Sequence, residues 1–281
     1  MNRRPPLGRK ITNGIVTVIS ALAALIGIFF LGWILLEIFQ RGATSLNAAF
    51  FTQLPTPPGI PGGGLANALV GTGLLTALAI ALGVPMGVLA GMYLSEYGRH
   101  SRLGAVVRFT VNVMMGVPSI IVGLFAYGLL VRPFGHFSGF AGAVALAIIM
   151  LPVVARTSED MLRLVPDSLR ESALALGAPR WRTIVGVVLQ AAKRGMITGT
   201  LLAVARVSGE TAPLLFTALN SPYWPNSLFQ PTANLTVTIF NYAMSPYVDW
   251  QQAAWGASLL ITAAVLALTI LARLGFMGVK K

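Results

Sequence analysis

Glu171-Ser172-Ala173-Leu174-Ala175-Leu176-Gly177-Ala178-Pro179-Arg180-Trp181 stands at the centre of a forty-residue stretch, Arg156 to Gly195, set between two apolar runs of membrane length. The stretch carries seven Lys or Arg and four acids. Its centre reads as a short helix, a glycine stop and a restart. A polytopic membrane protein spends so many ordered residues on one loop when something docks there. The loop therefore points to a soluble partner.

The rest of the chain supports a membrane reading. Of its 281 residues, 56% are hydrophobic and only 10% charged, and the mean hydropathy is +0.77. These values belong to integral membrane proteins rather than soluble domains. A helix needs about 20 apolar residues to cross a bilayer. Six segments qualify: 14–36, 65–94, 109–131, 138–155, 196–219 and 253–272. Backbone groups in lipid must pair within the segment, so an all-α protein with six helices is expected, surrounded by membrane lipid. The first run has 23 residues. That exceeds a signal-peptide core of roughly 7–15, so it reads as an uncleaved first span. The expected organisation is a basic cytoplasmic tail over 1–13 and a single permease domain over 14–281. Within that domain, 65–272 forms the core and 156–195 the inside loop.

The net charge of +12 raises the question of nucleic acid. Its distribution answers it. With six spans, 17 of the 20 basic residues fall on one side: the N-tail, the Arg99–Arg108 loop, the long loop, and Arg273, Lys280 and Lys281 at the C-terminus. Only Arg41 and Arg132 fall opposite, and Arg206 lies within a span. This bias places both termini in the cytoplasm and makes the charge a topology signal, with no nucleic-acid partner. There is no cysteine, and the two histidines, His100 and His136, lack neighbours at ligand spacing, so no metal site is expected.

Glycines punctuate the spans. Gly83, Gly87 and Gly91 recur at four-residue spacing around Pro85, which favours close helix contact within the chain over a subunit contact. Gly116, Pro118 and Gly123 do the same in the third span. The outside segments differ in kind: Leu54 to Gly64 is a turn-rich connector, and Asn220 to Gln252 is a 33-residue loop without Lys or Arg.

The chemically loaded segment is Leu201 to Leu214. Arg206 and Glu210 lie mid-span, where an ionisable group costs about 3 kcal/mol or more. At i and i+4 they share a helix face. Ser208 and Thr211 add hydroxyls, and Gly209 and Pro213 loosen the helix. Two readings stay open: a structural ion pair, or a polar translocation route. In the second, the Arg206 fork meets phosphate or carboxylate oxygens. No lysine of the chain is followed by Ser or Thr, so no nucleotide-binding P-loop is present. No hydrolytic cluster stands out either. The chain reads as a transport subunit rather than an enzyme.

The inside loop resembles the EAA motif of ABC importer permeases. Glu171, Ser172 and Ala173 take the first three places and Gly177 the glycine place. Val187, Leu189 and Gln190 take the last group. Ser172, Val187 and Gln190 depart from the pattern, and the missing terminal proline leaves the end of the second short helix open. The resemblance implies the type I permease fold, with Glu171, Ser172, Ala173, Gly177, Ala178, Pro179 and Trp181 in coupling helices held in a cleft of an ATPase. The string Ala205 to Thr217 is similar to the phosphate-specific ABC permeases. There the charged residues of this span are implicated in phosphate passage, which extends to Arg206 and Glu210. The resemblance implies company: a homologous permease subunit, two ATPase subunits that bind ATP and Mg, and a binding protein outside that delivers phosphate. No cofactor belongs to this chain itself. Rival readings are a permease for another oxyanion such as sulfate or phosphonate, a secondary anion transporter with Glu210 as proton site, and a membrane sensor.

Overall fold

The computed structural model describes residues 7–60 and 62–277. Arg3, Arg4, Lys280 and Lys281 lie outside the described residues. The chain is a bundle of helices. Long α1 (Leu7–Ala43) and short α2 (Ala48–Thr52) lead into α3 (Ala66–Glu96). Then α4 (Arg102–Gly116), α5 (Ser119–Ala126) and α6 (Arg132–Phe134) follow, the last two joined by a π-helical turn. Helix α7 (Gly139–Arg163) precedes α8 (Asp167–Ala175), α9 (Arg180–Thr183) and α10 (Leu189–Val207). The chain closes with α11 (Ala212–Leu215), α12 (Leu235–Ala243) and α13 (Val248–Met277). Side-chain caps set several starts. Ser101, Ser138 and Asn234 accept bonds from the amides of Gly104, Ala141 and Val237.

Helices α3 and α7 form the central pair. A Cβ at Gly83, Gly87 or Gly91 would come within 3.1, 2.8 and 2.5 Å of Ala147, Val154 and Ser158. The glycine ladder is thus an intramolecular seam, as its spacing predicts. Leu75, Leu146, Met150 and Val154 fill the core, which α10 completes with Ala203, Val204 and Val207. Helix α13 packs on α10 and α12, and α1 rests on α13. The apolar side chains of α1 are exposed from Ile11 to Phe39.

Two predicted spans are corrected. The third, 109–131, is not one helix. It starts earlier, at Arg102, and α4 and the chain from Ser119 to Phe134 meet at a 105° bend. The cause is Pro118, which lacks an N–H and holds Val117 in extended geometry, φ −71° and ψ 129°. Among the described residues, five helices are long and apolar enough to cross a membrane, and the bent pair makes six. The fifth span is also displaced. Its helix runs from Arg180 to Val207 and stops where 196–219 predicts continuation. Ser208, Gly209 and Pro213 break the ladder there.

Much of the loop expected over 156–195 is helical. Residues 156–163 finish α7, and 180–195 already belong to the helical run into α10. Helix α1 likewise takes in Arg9 and Lys10 from the predicted tail. Opposite, Asn220 to Gln252 is no simple loop. Helix α12 sits inside it, with Leu235, Val237 and Thr238 buried, and Tyr242 stacks on Trp250 at 4.3 Å.

Candidate functional site

Arg206 occupies the last turn of α10, and the chain then leaves the helix. Ser208 donates its amide to Val204 O at 2.9 Å, Gly209 to Arg206 O at 3.3 Å and Glu210 to Val207 O at 3.1 Å. These tight turns end the helix between the two charged residues. An i,i+4 pair needs both on one continuous face. No ion pair joins Arg206 to Glu210 among the described residues, which corrects the shared-face geometry.

The two residues nevertheless share a cavity of about 300 Å³. Its other walls are Met114 to Ser119 at the 105° bend and Ile148, Ile149 and Val153 of α7. Those α7 residues lie near the middle of a 25-residue helix, so the cavity sits at mid-depth of the bundle. Two chain breaks meet there. Gly123 of α5 and Pro213 of α11 hold them together, since a Cβ at Gly123 would stand 2.7 Å from Pro213 Cα. Ser119 opens α5, so the positive end of that helix dipole faces the cavity that Arg206 lines. Arg206 is exposed in the isolated chain and Glu210 half-buried.

Ser208 and Thr211 are not among the lining residues. The Ser208 hydroxyl turns back to Ala205 O at 3.0 Å. Thr236 of α12 donates to Glu210 O at 2.9 Å and tethers the broken segment. The sequence signal for that tether was the Asn234 cap, which marks a helix start inside an apparent loop.

The second candidate region lies beyond the C-terminal end of α7. Helix α8 ends at Gly177, whose φ of +82° is left-handed. The Gly177 amide bonds Leu174 O at 2.9 Å and the Ala178 amide bonds Ala173 O at 3.2 Å. That is a Schellman closure, and Pro179 then starts α9. Helix, glycine stop and restart are all present. Glu171, Ser172, Pro179 and Trp181 are exposed, while Ala173 and Ala178 are half-buried. Leu176 is the most exposed large side chain of the turn, at 89%.

Beneath this surface lies a charge lattice that the spacing of the motif does not announce. Glu159 is fully buried and meets Arg108 and Arg163 at 2.7 Å and Arg156 at 3.6 Å. Arg170 of α8 grips Glu96, at the end of α3, with 2.8 Å and 3.2 Å bonds. The Glu96 bond, above all, raises the Arg170 pKa, and burial opposes it. Arg180 of α9 donates to Glu96 O at 2.8 Å and lies over the Tyr97 ring at 5.1 Å. The signal in sequence was scarcity: with eight acids in the chain, Glu96 and Glu159 directly after apolar runs were candidates for pairing.

Comparison with known proteins places the chain in a family. Residues 83–276 match the family described as binding-protein-dependent transport system inner membrane component. The chain is 50% identical over 274 residues to the phosphate transport system permease protein PstA of Yersinia pestis, covering 98% of this chain and 93% of that protein. It is 47% identical to the PstA of Haemophilus influenzae, covering 95% of each. Among solved structures, a bacterial ABC transporter that imports the acidic polysaccharide alginate superimposes with a TM-score of 0.65 at 15% identity, over 99% of this chain and 100% of that one. That likeness shows the fold, an ABC importer type I permease. The chain therefore belongs to the binding-protein-dependent transport system inner membrane components, within their branch of PstA phosphate transport permeases.

Proposed function

We propose that this chain is one permease subunit of an ATP-driven importer that moves inorganic phosphate across the inner membrane, with both termini in the cytoplasm. The observation that carries the reading is the 50% identity, over nearly the whole chain, to a protein named for phosphate transport. It favours phosphate over sulfate and phosphonate, which Arg206 chemistry alone does not separate. It also favours an ATP-driven complex over a proton-coupled transporter using Glu210, and over a sensor that moves nothing.

The cavity at the two chain breaks supplies the chemistry. An anion at mid-depth loses most of its hydration, and the barrier is lowered by fixed positive groups. Arg206 offers a planar fork suited to two phosphate oxygens. The positive end of α5 adds partial charge on the other wall. The Glu210 carboxylate has no ion-pair partner among the described residues, so it is available to hold the guanidinium when phosphate is absent and to repel a second anion. Ser208 and Thr211 flank the break, and their role is to end the helix beside the cavity rather than to line it. A homologous permease closes the open side of the cavity. A binding protein outside brings phosphate to it.

Energy enters at the other end. The chain has no P-loop, so ATP and Mg are bound by two partner ATPase subunits. The exposed face of Glu171, Ser172, Ala173, Gly177, Ala178, Pro179 and Trp181 is the surface they grip. Closure of the ATPase pair then swings the permease between inward-open and outward-open states.

The test is labelled phosphate uptake in cells lacking the chain, with and without it restored, and with sulfate as control. Phosphate uptake alone should be lost and regained, and should survive an uncoupler while ATP is maintained. Unchanged uptake, in cells with no second phosphate system, would overturn the reading.

A further inference from the structure

Arg170 precedes the exposed Glu171 by one residue, yet its side chain is only 15% exposed and faces the opposite way. A guanidinium has five N–H donors, and all five are used. Nε and one Nη2 hydrogen bond the two oxygens of Glu96 at 3.2 and 2.8 Å. The second Nη2 hydrogen reaches Leu162 O at 2.8 Å. Nη1 bonds Val165 O and, at 3.1 Å, Asp167 Oδ1. Nothing is left for a docking partner. The side chain instead ties α8 to the ends of α3 and α7 at once. Arg180 repeats the attachment from α9, on the carbonyl of the same Glu96.

The two helices so gripped are the pair sealed by the glycine ladder. Gly91, Gly87 and Gly83 leave no room between α3 and α7. Within the same stretch of α7, Val153 and Ile149 face the Arg206 cavity. Close-packed interiors transmit displacement with little slack. A push on α8 and α9 therefore reaches the cavity wall as a movement of one body.

We propose that Arg170 is the positioning residue that couples the ATPase to the membrane helices, through its four bonds to Glu96 at the end of α3 and to the carbonyls of Leu162 and Val165 at the end of α7. This rests on the reading of α8 and α9 as the surface the ATPase grips. Glu171 and its neighbours receive the force, and Arg170 passes it inward.

The experiment uses the complete complex in proteoliposomes, with ATP hydrolysis, phosphate transport and ATPase retention measured together. Glu96→Gln and Arg170→Lys should retain the ATPase and hydrolyse ATP. Each should lose about tenfold in phosphate moved per ATP, within the range of an ordinary coupling free energy. Lysine fails because three donors cannot replace five. The chain has no cysteine, so Glu96→Cys with Arg170→Cys can be joined specifically by a short, reducible bifunctional thiol reagent. The joined complex should regain most transport and lose it again on reduction. A wild-type ratio in Glu96→Gln would overturn the inference, as would a joined complex that is blocked, because rigid attachment would then oppose the cycle. Loss of the ATPase from either variant at normal chain level would also overturn it, by making Arg170 a builder of the docking face. A wild-type complex without ATPase would overturn the coupling-surface reading first, and this inference with it.

Discussion

The chain handles its charges in two opposite ways. Where α8 packs under the ends of α3 and α7, Glu159 is buried and Glu96 half-buried, and both are held at 2.7–2.8 Å by arginines. At mid-depth, Arg206 and Glu210 share a cavity without an ion pair between them. Burial explains the contrast. A carboxylate sealed between packed helices must be compensated within the chain. A charge at a chain break, open to a cavity, keeps its options for a ligand and for a partner subunit. Pairing marks structure here, and its absence at the cavity fits the passage role proposed for Arg206 and Glu210.

Substitutions can break that comparison. The largest effect should come from Glu159→Ala, which leaves the half-buried Arg108 and Arg163 facing each other without their buried carboxylate. Removing one partner of a buried pair costs about 3–5 kcal/mol, so the chain should fall sharply in membrane abundance and in thermal stability in detergent. Normal abundance would show the lattice to be dispensable. Next is Gly91→Leu. Its side chain would drive Ser158 and the α7 backbone away, at about 1–3 kcal/mol, read as a lowered unfolding temperature. Gly177→Val should cost about 1–2 kcal/mol locally, because its φ of +82° disfavours a branched side chain even in open space. Its readout is weaker retention of the ATPase on purification, with little change in the membrane-embedded core. The smallest effect on folding should be that of Arg206→Gln, under about 1 kcal/mol, since no ion pair among the described residues is lost. Its phosphate uptake should nonetheless fall by at least about tenfold, and Arg206→Lys should also be impaired for lack of the fork. If Arg206→Gln instead removed the protein from the membrane, the two charge regions would be alike and the contrast would fail.

Much of this was legible in sequence for identifiable reasons. The glycine ladder was readable because helical periodicity alone puts Gly83, Gly87 and Gly91 on one face. The stop at Gly177 was readable because few other residues adopt its backbone angle. The two breaks were not. The apolar runs continue through Val117–Pro118 and through Ser208–Pro213, and hydropathy is blind to direction. The Arg206–Glu210 pairing failed for the same reason: i,i+4 arithmetic presumes a helix that has already ended at Val207. Arg170 was passed over because its partner, Glu96, lies 74 residues away in sequence.

The sequence by itself determined that this is a multi-span membrane protein with one long basic loop and a lone charged segment in an apolar run. Those are properties of composition, period and local backbone preference, which each segment carries alone. Tertiary structure decided where the helices end, which charges are compensated, and that two broken segments meet at one mid-depth cavity. Those outcomes depend on contacts between residues distant in the chain, where close packing and the cost of an unpaired buried charge select among arrangements that local sequence leaves equivalent.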